Sequence, residues 1–205
     1  MSISATTSSS NHALSVLKSF QRKDCLPLLG NRVWRIEQGI VRTLTWEEEG
    51  HVITFGLWGR GDIVGQPLTQ QSPYQVECLT AVVATEVPLG RHSHYWQEVL
   101  LNHLWRTEEL FRIAHQPSVT ERLIQLLHWL ARRFGKSVPQ GHLLEPILTH
   151  QQLAEILGTT RVTVTRLLTR LENEGQLVKF RKLDGNWTHG IDLAYAKRAI
   201  LLPRS

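Results

Sequence analysis

THQQLAEILGTTRVTVTRLLTRLENEG, running from Thr149 to Gly175, decides how the rest of the chain is read. Thr149 followed three residues later by Gln152 is a capping box, which predicts a short helix through Ile156. Gly158 supplies the left-handed residue that ends such a helix. A second amphipathic helix is predicted from about Thr160 to Glu174. Ala154 is small enough for two helices to approach, Gly158 makes the turn, and Val164 fills the space between them. Together these predict a helix-turn-helix.

On the second helix, Val164, Leu167, Leu168 and Leu171 recur at spacings of three and four and face inward. Arg161, Val162, Thr165, Arg166 and Thr169 are left outward. Arginine donates two hydrogen bonds to guanine O6 and N7, and threonine or valine meets a thymine methyl. Surface arginines usually do no more than solvate a helix. The tight turn and the clustering of Arg, Val and Thr near the helix start favour a DNA-reading helix instead. The candidate DNA contacts are Thr149, Gln151, Thr160, Arg161, Val162, Thr163, Thr165, Arg166 and Arg170.

Beyond this helix, 177–182 and 187–193 read as two strands around Asp184-Gly185-Asn186, a strong hairpin signal. They predict a wing carrying Lys179, Arg181 and Lys182. Those cations suit phosphate contact, which positions a protein without reading sequence. A solvated edge strand guarded by its charges explains them equally well.

Upstream, Pro117 breaks a helical stretch, and Ser118 with Glu121 forms another capping box opening a helix to about Phe134, stopped by Gly135. The preceding helix, from about Ser93 to His115, carries Trp96, Leu100, Leu104, Thr107, Phe111 and Ala114 as one stripe. That stripe suits packing on the chain's own β-domain or pairing with a second copy, and the spacing alone leaves both open.

From about Leu26 to Leu89 the chain is strand-like. Val33–Ile36, Ile40–Thr45 and His51–Phe55 alternate in extended fashion, with Glu49-Gly50 as a hairpin turn. Gly56, Gly59, Gly61 and Gly65 punctuate the next stretch, and Val76 to Val87 is again rich in β-branched residues. Short strands with frequent glycine turns predict a small roll or barrel. The expected architecture is α+β: a disordered tail over 1–12, a β-roll effector-type domain over 13–92, a helix over 93–116, and a winged helix-turn-helix over 117–205.

Composition bounds the alternatives. The 205 residues are 41% hydrophobic and 20% charged, with a net charge of +5. A basic balance is weak evidence for a polyanionic partner on its own. No apolar run reaches the roughly 18 residues of a membrane span, and no secretory leader pattern opens the sequence. Cytoplasmic location is the expectation. Cys25 and Cys78 have no metal-ligand spacing, fit a reducing compartment, and are too few for a four-cysteine iron–sulfur cluster. The sequence contains no GxSxG, HExxH or Walker loop, and Gly59-Arg60-Gly61 is too short for a phosphate fingerprint, so an enzyme is not expected.

The order of roll, long helix, break, helix and winged helix-turn-helix over about Val33 to Leu193 resembles the CRP/FNR family of bacterial regulators. The cupin-like, cyclic-nucleotide-binding type of roll is matched by IEQGIVRTLTWEEEGHVITFGLWGRGDIVGQ, Ile36 to Gln66. TTRVTVTRLLTRLENEG, Thr159 to Gly175, resembles the recognition helix of the cyanobacterial nitrogen-control regulators within that family. The resemblance implies homodimers formed through the long helix, double-stranded palindromic DNA and RNA polymerase as partners, an activator role, and operator contacts at Arg161 and Arg166. It also implies half-sites close to GTA and TAC. The position of Val162 is a glutamate in the catabolite and anaerobic regulators, so their half-site preferences do not transfer. Cyclic-AMP binders place a glutamate after the glycine matching Gly65, where Gln66 stands, and an Arg-Ser pair that is missing from Ser72 to Leu79. Cyclic AMP is therefore not expected, nor is an iron–sulfur cluster. Haem ligation by one of ten histidines stays open, although there is no CxxCH. The runner-up to a transcription regulator is a haem- or small-ligand-sensing module with weak or no DNA binding. The roll interior discriminates among effectors: an anchoring arginine in a polar pocket implies a small anion, a filled apolar core implies none.

Overall fold

The computed structural model describes residues 17–88, 94–138, 141–144, 148–181 and 187–191. The tail expected to be disordered lies outside them.

Among the described residues, seven strands build the roll. They are β1 (Leu17–Phe20), β2 (Arg32–Gln38), β3 (Val41–Trp46), β4 (Val52–Trp58), β5 (Ile63–Val64), β6 (Gln75–Cys78) and β7 (Val82–Pro88). One antiparallel sheet has the order β1-β7-β2-β5, the other β4-β3-β6. The expected hairpin joins β3 to β4, pairing Val41 with Trp58 and Trp46 with Val52 around a register shift at Thr43/Leu44. β1 escapes sequence reading because its four residues are mostly exposed and show no apolar alternation.

The inner faces of the two sheets meet in an apolar core of Leu26, Trp34, Ile36, Val41, Trp58, Val64, Tyr74, Val76, Cys78, Val82 and Ala84. The two large indoles are anchored by their polar ends, as buried tryptophans require. Trp34 donates Nε1–H to Pro27 O at 2.8 Å, and Trp58 donates to Thr43 Oγ1 at 2.9 Å.

Helix α1 (His94–Ala114) leads out of the roll, and α2 (Val119–Phe134) follows the break at Pro117. Ser118 caps α2 by accepting from the Glu121 amide at 3.0 Å, the half of the expected capping box that the structure forms; the return bond from the Glu121 side chain is not made. Gly135 ends α2 with ordinary negative φ, so it is a stop without the left-handed geometry. The next element is absent from the sequence-based expectation: β8 (Lys136–Val138) and β9 (Gly141–Leu144), an antiparallel hairpin. Its side chains are too few to set a period of their own. It is recruited into the wing sheet, where β10 (Leu177–Arg181) and β11 (Trp187–Ile191) complete the order β10-β11-β9-β8.

The expected apolar stripe on α1 divides. Trp96 turns inward and packs with Val33 and Ile63, and Leu110 and Ile113 join the core under α2. Trp96 therefore does not share a face with the others. Leu100, Leu104 and Phe111 stay 47–63% exposed, together with Leu101 and Trp105, which the 3–4 stripe omits. Thr107 and Ala114 are half-buried.

One cluster runs unbroken from Leu57 and Leu79 of the roll through Leu123, Leu126 and Leu130 of α2 to the helices beyond. The contact is close at Gly59, where an added Cβ would stand 2.8 Å from the Phe134 ring.

Candidate nucleic-acid interface

Helix α3 (His150–Leu157) begins as its sequence dictates. Thr149 Oγ1 accepts from the Gln152 amide at 3.2 Å, while Gln152 Oε1 accepts from the Thr149 amide at 2.9 Å. A cap of this kind stabilises by about 1 kcal/mol, small against the burial of Leu153, Ala154, Ile156 and Leu157 beneath it. Burial holds the helix, and the cap fixes where it starts. Gly158 adopts φ 61° and ψ 46°, and the Thr159 amide reaches back to Ala154 O at 3.0 Å, a Schellman closure. Arg122 of α2 adds a guanidinium at this C-terminal end, donating to Leu157 O at 3.0 Å and to Gln116 O at 2.7 Å. A cation there complements the helix dipole. Arg122 is invisible to a reading of α3 and α4 alone, because its partners are backbone carbonyls six and thirty-five residues away.

Helix α4 (Arg161–Asn173) follows after three residues, capped by Thr160, whose Oγ1 accepts from the Thr163 amide at 3.2 Å. Val164 is fully buried and shares a core cluster with Ala154, itself 1% exposed. Leu167, Leu168 and Leu171 complete the inner face. The outer face is the one expected: Arg161, Val162, Thr165, Arg166, Thr169 and Arg170 are all exposed, and Val162 reaches 77%. An isolated, highly exposed valine beside two arginines contributes nothing to the fold and is suited to a thymine methyl. Thr163 is half-buried, and its hydroxyl lies 3.0 Å from that of Thr160.

Thr149 and Gln151 lie exposed at the start of α3, beside the reading face. His150, not anticipated as a site residue, bridges the two helices: its Nδ1 lies 2.9 Å from Thr165 Oγ1. Arg170 pairs with Glu174 at 2.6 Å, and this carboxylate raises its pKa. Lys179 and Arg181 fall on β10. Lys182 and the expected Asp184-Gly185-Asn186 turn lie outside the described residues.

A tight, capped two-helix unit that presents Arg, Val and Thr outward, backed by a small antiparallel sheet, is the geometry of a winged helix-turn-helix. Residues 121–184 match the model of the Crp-like helix-turn-helix domain. Over 161 residues, 76% of each chain, the sequence is 42% identical to the regulatory protein CysR of Synechococcus elongatus. The chain belongs to the CRP/FNR family. A global nitrogen regulator of Synechocystis is 28% identical over 82% of each chain. Among solved structures, a CRP-family transcriptional regulator of Thermus thermophilus superposes with a TM-score of 0.73 at 22% identity, covering 88% of this chain and 95% of that one. A cyclic nucleotide-binding domain containing protein of Listeria monocytogenes gives 0.68 at 13%, covering 88% and 90%. These two likenesses speak to the fold alone. As a member of the CRP/FNR family, the chain is a DNA-binding transcription regulator.

The family's cyclic-nucleotide site does not fit the residues of this roll. Its interior is occupied by Trp34, Trp58 and Tyr74. Arg42 is the buried arginine of the roll among the described residues, and Glu77 and Glu155 both claim its guanidinium. Gln66, at the position where cyclic-AMP binders hold a glutamate, turns its amide toward Gln71 O. Of the two cysteines, Cys78 is buried and Cys25 exposed; burial pushes the Cys78 thiol up to about 12 and raises Cys25.

Proposed function

We propose that the chain binds a palindromic operator as a homodimer, with α4 of each copy in a major groove and the wing strands β10 and β11 over the adjacent phosphates. The observation that carries this is the exposed Arg161, Val162, Thr165, Arg166 face on a helix held rigidly by two caps and the Gly158 turn. The exposed α1 face of Leu100, Leu101, Leu104, Trp105 and Phe111 supports pairing of two copies. The kinship with cyanobacterial regulators supports half-sites close to GTA and TAC. RNA polymerase is the further partner this reading needs. A cytoplasmic site of action fits a chain in which no described helix is long and apolar enough to cross a membrane. The apolar roll core, with the buried Arg42 already engaged by Glu77 and Glu155, supports control that does not depend on an anion held inside the roll.

Selection of duplexes from a randomised library by the full-length protein tests the proposal. The expected outcome is enrichment of an inverted repeat whose half-sites lie about one helical turn, roughly 34–36 Å, apart. Enrichment of single, non-repeated sites, or of no sequence, would overturn it.

A further inference from the structure

Four threonines line the start and the outer side of α4, and each hydroxyl is already engaged by the protein. Thr160 caps the helix and meets the Thr163 hydroxyl. Thr165 Oγ1 donates to Arg161 O at 2.9 Å, and Thr169 Oγ1 donates to Thr165 O at 3.1 Å. Thr165 has a second partner from another helix, the Nδ1 of His150 at 2.9 Å. A hydroxyl has a single proton and accepts with its lone pairs. With that proton on Arg161 O, His150 Nδ1 carries the hydrogen and donates. The Thr165 oxygen is thus held from two sides, and its γ-methyl is the group left for a ligand.

Back-bonding alone does not settle this orientation. A helical threonine divides between two χ1 wells, because either lets Oγ1 reach a carbonyl of the preceding turn. A partner fixed on α3 selects one of them. The neighbouring Val162, 77% exposed, presents only methyls beside it. Between the arginines, the reading face offers hydrocarbon.

We propose that His150 is a positioning residue for base recognition: it holds Thr165 so that its methyl, and not its hydroxyl, meets DNA, which makes Thr165 a reader of the thymine C5-methyl. This rests on α4 being the reading helix, as proposed above. Without His150 the hydroxyl swings free to bond any acceptor or donor on a base edge, and the preference for thymine relaxes.

The probe is the duplex enriched by the wild-type protein, resynthesised with each thymine in turn replaced by deoxyuridine, which removes only the C5-methyl. At one thymine per half-site the wild type should lose about fourfold in affinity, the worth of one buried methyl. Thr165→Val should keep that ratio and Thr165→Ser abolish it. His150→Ala should bring the ratio toward one while leaving affinity for a scrambled duplex unchanged, and adding Thr165→Val to His150→Ala should restore it. A His150 that only contacts phosphate or supports the fold would lower affinity on every duplex, leave the ratio intact and gain nothing from Thr165→Val. That result, or a wild type that prefers its operator yet tolerates uracil at every position, overturns the inference. A wild type that enriches no duplex at all overturns the DNA-reading proposal as well, a visibly different outcome.

Discussion

Arg42 on β3 of the roll donates from Nη1 to Oε2 of Glu155 on α3, 2.7 Å away, and the two side chains are 8% and 16% exposed. The first helix of the reading unit is therefore tethered to the roll by an ion pair largely withdrawn from water. Arg42 also holds Glu77 of β6, so its charge is shared between the domains.

Removing Glu155 leaves Arg42 its second carboxylate, so Glu155→Ala should lose the buried bond from Arg42, about 1.5–3 kcal/mol, together with an exposed and weaker one from Gln151. Arg42→Ala strands two half-buried carboxylates and should cost more, about 3–5 kcal/mol. Denaturant unfolding measures both. An equal cost for the two substitutions would mean that Arg42 does not serve both domains at once.

A second contact of the same kind lies at Asp62, 6% exposed, which binds Arg106 of α1 and Arg133 of α2 and accepts from the Gly59 amide at 2.8 Å. His103 sits beside it, stacked on Trp58 at 4.0 Å with its ring planes 6° apart. Burial pushes the His103 imidazole down to about 4. The unfolded chain, with a histidine near 6.5, binds the proton that the folded chain refuses. Stability from this group is present above about pH 6.5, falls as pH drops toward 4, and levels off below that. His128 is shifted down as well, by burial and Arg132, and adds to the same slope. His103→Phe keeps the ring stack and removes the proton site. It should flatten the loss of stability between pH 6.5 and 4, read by urea unfolding at stepped pH. An unchanged slope would assign the effect to His128.

The division of the α1 stripe separates two kinds of residue that periodicity could not. Leu104 is 51% exposed and Trp96 is 8% exposed. Leu104→Glu should leave the monomer folded but produce monomers, because pairing would bury an unpartnered carboxylate. Trp96→Ala should instead destabilise the roll by about 3–5 kcal/mol. Sedimentation velocity together with thermal melting distinguishes them. A Leu104→Glu protein that sediments as a dimer would remove this face from the interface.

Legibility in the sequence tracks locality. Caps, the Gly158 turn and the inward leucines of α4 are set by residues within four positions of one another, so they appear directly in the chain. Trp96 departs from its expected face because its partners, Val33 and Ile63, are remote, and a helix with two apolar faces shows one merged stripe. Arg42–Glu155 and His150–Thr165 span 113 and 15 residues, and neither leaves a local pattern. The β8–β9 hairpin is defined by its pairing to β11 rather than by its own composition.

The proposal that α4 reads sequence is tested most directly at Arg166. It lies exposed on α4, one turn beyond Val162 and close to the helix start. Arg170, four residues on, is drawn to Glu174. Arg166 has no comparable carboxylate at i+4, because position 170 is itself an arginine. Its planar fork matches guanine O6 and N7, a geometry lysine does not reproduce. Arg166→Ala should therefore cost about 1–3 kcal/mol on the selected duplex. On a scrambled duplex the loss should be much smaller, since only a non-specific attraction disappears. Stability should change by less than about 0.5 kcal/mol, because the side chain lies outside the packed face. Arg166→Lys should behave like alanine on the selected duplex and like wild type on the scrambled one, which separates fork from charge. The measurement is a set of binding curves for the three proteins on both duplexes at one salt concentration. Equal losses on both duplexes for Arg166→Ala, with Arg166→Lys fully active, would make Arg166 a phosphate contact and move guanine recognition to Arg161.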